Sequence, residues 1–202
     1  MLRDLLAQPG VEERVELRGR FGFMAFHGGS LERMTDAVAV DAAERAGASC
    51  YVVAQPEDLR WHVPSKLFDP ADSDGLAGFL DHVDDVVAVH GYGRTGLFTT
   101  LLLGGTGRGL AGEVADRLRT ALPGYEVNAE LDDVPAELRG LHPGNPVNRV
   151  RGEGVQLELP PRVRGLGPYW TDRPDPAEHR RALVEALADA ARDRQRAADP
   201  LR

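Results

Sequence analysis

Two apolar runs in this chain end in the same dipeptide, and that repetition constrains the fold more than any other feature. Phe23-Met24-Ala25-Phe26 runs into His27-Gly28, and Val86-Val87-Ala88-Val89 runs into His90-Gly91. Short apolar runs bounded by glycine read as buried strands, so each histidine stands where a buried strand leaves the core. A second glycine, Gly29, lets the chain turn back sharply after His27, and Glu32 follows five positions after that histidine. His27 and Glu32 therefore face one point in space without being helical neighbours. With His90 they form a His-His-Glu set, a donor combination that holds catalytic zinc with one position left open.

The remaining pattern is that of an α/β domain. Thr35–Ala46 reads as a helix, with Thr35 as N-cap and Gly47 as its stop, and Ser49–Val53 as the next strand. Strand, helix and strand within about 30 residues is the spacing of a parallel βαβ unit. Further along, Leu76–Val83 and Leu110–Leu122 read as helices, and Leu97–Leu103, Tyr125–Val127 and Val155–Leu159 as strands. Val11–Arg18 reads as an outer strand. A last helix spans about 176–197, with Asp175-Pro176 opening it, and Tyr169-Trp170 are placed to pin it to the core. The expectation is one domain over 1–202, a mixed but mostly parallel sheet flanked by helices, with functional groups at strand ends.

Composition narrows the classes. Of 202 residues, 42% are hydrophobic and 28% charged, as in soluble globular proteins, and the formal net charge is −8. That sign argues against a nucleic-acid or anionic-membrane partner. Lys66 is the only lysine among 24 basic residues, and Arg139, Arg149, Arg151, Arg162 and Arg164 lie close in sequence. The single cysteine, Cys50, excludes both an intrachain disulfide and a Cys-rich zinc site. With neither a basic and apolar leader nor a membrane-length apolar run, the expectation is a cytoplasmic protein. The oligomeric state stays open.

Two motifs mislead. Gly91-Tyr92-Gly93-Arg94-Thr95-Gly96 matches G-x-G-x-x-G, yet a strand-like run follows where a dinucleotide fold needs a helix, so it reads as a turn. No G-x-S-x-G occurs, so a nucleophile elbow is absent. In Gly154–Leu159, alternation sends Gln156 and Glu158 to the face opposite Val155, Leu157 and Leu159. Glu158 then sits near the end of a core strand as a candidate general base, or on an edge strand facing water.

Four segments in order resemble the poly-γ-glutamate hydrolase family, phage-type bacterial zinc enzymes whose fold is like that of zinc carboxypeptidases. They are Ala25–Glu32 with Thr35, His62-Val63-Pro64-Ser65 through Phe68-Asp69, Val87–Tyr92, and Asn148-Arg149 with Gly154–Leu159 and Arg164. The resemblance implies zinc on His27, Glu32 and His90, and Glu158 as the base that activates the zinc-bound water. It also implies Asn148 and Arg149 as the pair that holds a substrate carboxylate; beside them Arg164 is a weaker candidate clamp, and His62 a candidate substrate-contacting or ligand-supporting group. Leu67 departs from the family, which often carries histidine there. The function expected from the resemblance is hydrolysis of γ-glutamyl bonds in an anionic polymer or peptide. Another zinc amidase acting on peptidoglycan-type peptides, or a non-catalytic module binding an acidic ligand or a protein, stands beside it.

Overall fold

The computed structural model describes residues 1–166 and 176–198. The seven strands are β1 (Glu12–Glu16), β2 (Phe21–Gly29), β3 (Ser49–Gln55), β4 (Asp85–Gly91), β5 (Thr100–Gly104), β6 (Glu126–Asn128) and β7 (Gly154–Leu159). They form a single sheet in the order β1-β3-β2-β4-β7-β5-β6. β3, β2, β4 and β7 run parallel; β1 lies antiparallel on β3, β5 antiparallel on β7, and β6 parallel to β5. The sheet is thus mixed and mostly parallel, in one domain with flanking helices.

The apolar runs are continuous because the central strands are covered on both faces. On one face Phe23, Ala25, Val87, Val89, Val155 and Leu157 pack against α2 (Thr35–Ala46), α4 (Arg108–Ala121) and α5 (Pro176–Ala198). On the other, Met24, Phe26, Val86 and Ala88 pack against α1 (Leu2–Leu6), α3 (Asp74–His82) and the loop residues Val63, Phe68 and Val147. The two sets alternate along each strand, as the period of two requires. Cys50 lies in the first core, where burial pushes its thiol up to about 12.

Three expectations need correcting. Thr35 is the first helical residue and does not cap α2; Met34 takes the cap position at φ 73°, and the Thr35 hydroxyl donates back to Glu32 O at 2.8 Å. The strand expected from Leu97 begins only at Thr100: Leu97 N donates to Arg94 O and Thr100 N to Leu97 O, a pair of turns, and the Tyr92 hydroxyl donates to Thr100 O at 2.5 Å with Leu97 O 3.0 Å from the same oxygen. β7 is not an edge strand: it lies between β4 and β5. The Tyr169-Trp170 pin and the Asp175 cap lie outside the described residues. No helix among the described residues is long and apolar enough to cross a membrane.

One arginine of α5 ties it to three other segments. Arg194 reaches Asp85 at the start of β4, Glu113 on α4 and Glu153 just before β7, each at 2.9 Å. Arg194 is only 27% exposed, so these bonds are partly screened from water. Arg194→Ala should lower the unfolding free energy by about 2 kcal/mol, since charge-assisted bonds are lost and three carboxylates left together. Arg196→Ala, on a side chain 75% exposed, should change it by less than about 0.5 kcal/mol in the same denaturant titration.

Candidate metal centre

The site forms at the carboxyl ends of β2, β4 and β7, where parallel α/β sheets bind their ligands. Its geometry begins with a bulge. Ala25 pairs with Val52 and Gly28 with Ala54, so β2 carries one residue more than β3 across that step. An extra residue re-aims the side chains beyond it. Strict alternation would send His27 to the face opposite Phe26. Instead its ring lies on the Phe26 side, 4.7 Å from the His62 ring, 5.2 Å from His90 and 5.9 Å from Phe68. Gly29 then turns the chain at φ 68°, where a Cβ would fall 2.1 Å from Gln55 O. Glu32 N donates to His27 O at 2.8 Å, and this turn brings the carboxylate back over the ring.

His27 Nε2 lies 2.8 Å from Val63 O, which can only accept, so Nε2 carries hydrogen and donates. Nδ1 faces Glu32 Oε1 at 2.8 Å. A protonated ring donates there; with the ring neutral, the Nδ1 lone pair and the carboxylate meet as two acceptors that a cation can share. Glu32 Oε2 accepts from Gly91 N at 2.7 Å and lies 3.6 Å from His90 Nδ1. His90 Nε2 is buried without a hydrogen-bond partner. Among the described residues, His27, Glu32 and His62 each offer a ligand atom within 4.8 Å of the others. Imidazole nitrogens, a carboxylate, a fixed tautomer and an orphaned buried nitrogen form a donor set that fits a divalent metal ion.

Burial works to raise the Glu32 carboxyl, yet the charge and hydrogen bonds of His27 and His90 hold it well below the usual carboxylate range. Burial works to lower His90, but Glu32 and then Glu158 raise it overall. His62 is lowered by burial and then by His27. Glu158 pairs in register with His90 across β4 and β7 and is 4% exposed; burial pushes its carboxyl above the usual range. A carboxyl that is buried, raised and beside a cationic donor set is equipped to accept and return a proton.

A cleft of about 830 Å³ opens over these groups, lined by His27, Glu32, His62, His90 and Glu158. The other substrate-contacting residues expected from the sequence are not part of its lining. Asn148 spends its amide on the fold: Oδ1 accepts from Thr106 N at 3.0 Å, and Nδ2 donates to Gly140 O at 2.7 Å and His142 O at 3.0 Å. Arg149 points toward Asp69, 3.7 Å away. Arg164 is buried, donates to Arg33 O at 2.6 Å and packs against Gly91, whose missing Cβ leaves it room. The cleft's basic lining residues are instead Lys66 and Arg139, the latter donating from Nε to Val134 O at 2.8 Å, and the buried Asn145 and Gln156 line it too. Lys66 and Arg139 sit in or beside short 3₁₀ turns, which carry no periodicity. Gln156 was within reach of sequence reasoning, because alternation puts it on the Glu158 face.

The profile of the poly-gamma-glutamate hydrolase family matches residues 4–166. Among solved structures, a bacteriophage poly-gamma-glutamate hydrolase superposes with a TM-score of 0.73 at 22% identity, covering 95% of this chain and 93% of that one. YNDL in an apo, zinc-free form superposes with a TM-score of 0.71 at 20% identity, covering 92% and 93%. A metallo-carboxypeptidase from Burkholderia cenocepacia gives 0.51 at 11% identity, covering 98% of this chain and 67% of its own. No curated protein sequence matches the chain.

Because Asn148 ties three loop segments together, Asn148→Ala should cost about 1–3 kcal/mol of stability. Arg149→Ala should shift the denaturation midpoint little, by less than about 0.5 kcal/mol.

Proposed function

We propose, from the premise that the chain belongs to the poly-gamma-glutamate hydrolase family, that it is a zinc-dependent amide hydrolase cleaving γ-glutamyl bonds in an anionic polymer or peptide. The observation that carries the metal is the His27 Nδ1–Glu32 Oε1 approach at 2.8 Å, with Val63 O occupying the other ring nitrogen. His27, Glu32 and His90 would hold the ion. Among the described residues the tightest donor triad is His27, Glu32 and His62. The proposed set takes His90 instead, because it is buried with an unpartnered ring nitrogen whereas His62 is an exposed loop residue, which is assigned to the substrate. Zinc is supported by the nitrogen and oxygen donor set and by one similar structure, YNDL, being described as an apo, zinc-free form. When bound, zinc supplies Lewis acidity toward a carbonyl and toward water.

The chain's own groups do the rest. Val63 O and Gly91 N orient His27 and Glu32 before any ligand arrives. Glu158, buried and raised, takes the proton of the attacking water and passes it to the leaving amine, the dual role of a general base and acid. Lys66 and Arg139, both lining the cleft, attract the carboxylates of a γ-linked chain against the repulsion of a molecule carrying −8.

Elemental analysis after reconstitution should find about one zinc per chain. His27→Ala should lose it, whereas Glu158→Gln should keep it and lose turnover by roughly a thousandfold or more. Metal lost from Glu158→Gln would make that residue a ligand. Zinc with no turnover on any amide would instead favour a binding module. Arg139→Ala should raise KM for a γ-glutamyl peptide roughly tenfold with a smaller change in kcat. Arg149→Ala should leave both within about twofold. Faster cleavage of α-linked than γ-linked glutamyl peptides would contradict the proposed substrate.

A further inference from the structure

Gln156 and Asn145 are buried amides that line the cleft, and the proposed reaction has so far used neither. Gln156 Nε2 donates to Glu158 Oε1 at 2.9 Å and to Leu138 O at 3.2 Å. Gln156 Oε1 accepts from Asn145 Nδ2 at 2.8 Å. Asn145 Nδ2 also reaches Gly140 O at 3.3 Å, and Asn145 Oδ1 accepts from Val147 N at 3.4 Å. Asn145, Gln156 and Glu158 are 3%, 6% and 4% exposed, so water cannot substitute freely for any of these partners.

A carboxamide has one donating and one accepting end, and here only one orientation satisfies every neighbour. Glu158 and Leu138 O both accept, so the Gln156 amino group must face them. Its oxygen then faces Asn145, whose own amino group is directed there and to Gly140 O. Turned over, Gln156 would set its oxygen against a carboxylate and a carbonyl. The loop is shaped for this contact: Gly140 stands at φ 63°, and a Cβ on it would fall 2.3 Å from Gln156 Oε1.

We infer that Gln156, held in a single amide orientation by Asn145, is the positioning residue that aims the Glu158 carboxylate at the reacting centre. Gln156 occupies Oε1 and thereby leaves Oε2 as the oxygen that handles the proton. The same two amides fasten the wall formed by residues 136–142 to β7, so the substrate wall and the base are set by one hydrogen-bonded chain. This inference rests on the assignment of Glu158 as general base.

The test compares kcat at saturating γ-glutamyl peptide, KM and bound zinc in the wild type and in Glu158→Gln, Gln156→Met and Asn145→Asp. Gln156→Met keeps the length of the side chain and removes the amide. Asn145→Asp keeps the shape and still accepts from Val147 N; ionised, it cannot donate, and Gln156 then turns its amino group toward it and away from Glu158, so kcat is compared at the alkaline end of the pH range, where the new carboxyl is ionised. Both variants should retain the metal and lose kcat by roughly tenfold or more, since small displacements of a reacting group carry penalties of that order. A role confined to holding the wall predicts the opposite for Asn145→Asp: a kcat within roughly threefold of wild type, with any change seen in stability or KM. That result overturns the inference whatever Gln156→Met does, and Asn145→Asp decides alone if Gln156→Met fails to fold. An active Glu158→Gln would overturn the base assignment and this inference with it. An inactive Glu158→Gln beside a fully active Asn145→Asp would overturn this inference alone.

Discussion

The contact on which this structure turns is the approach of His27 Nδ1 to Glu32 Oε1, 2.8 Å apart at the edge of the core. An imidazole and a carboxylate are held face to face, one fixed through Val63 O and the other through Gly91 N. Burying a carboxylate and an imidazole costs several kcal/mol unless charge and hydrogen bonds compensate. The fold supplies some of that compensation in the geometry of three strand ends. A cation would supply the remainder, with His90 Nδ1 3.6 Å from the same carboxylate.

The sheet exists around this cluster in a literal sense. β2, β4 and β7 are adjacent and parallel, so His27, His90 and Glu158 leave the core together. The helices seal the faces, and Arg194 fixes the longest of them to the opposite ends of β4 and β7. What lies over the carboxyl ends is irregular chain, and it forms the cleft. Rigid strands thus carry the candidate chemistry, and loops carry the candidate specificity.

Much of this was legible in the residues. The two His-Gly strand ends, the return of Glu32 and the shared face of Gln156 and Glu158 all follow from apolar runs, glycine placement and the period of two. The β2 bulge was not, because a one-residue slip leaves no mark in a run as uniform as Phe23–Phe26. Nor was the fate of Asn148 and Arg149: adjacency in sequence suggested a carboxylate clamp, whereas the 3₁₀ turn at Pro146–Asn148 commits the Asn148 amide to Thr106, Gly140 and His142. Lys66 and Arg139 escaped notice for a related reason. Their positions depend on loop-to-loop packing, which has no sequence period. The cap falls one residue before Thr35, on Met34, whose left-handed backbone is rare for any residue but glycine or asparagine and so left no sign in the sequence.

The most direct test of the central contact is the ¹⁵N state of the His27 imidazole, followed by long-range ¹H–¹⁵N correlation while zinc is added. The geometry predicts that Nε2 keeps its proton, bonded to Val63 O, while the Nδ1 resonance moves to a metal-coordinated position as one equivalent of zinc binds. Loss of the Nε2 proton, or no response at either nitrogen, would contradict it. His27 and Glu32 would then be a buried hydrogen-bonded pair of the fold, with the metal held elsewhere or not at all.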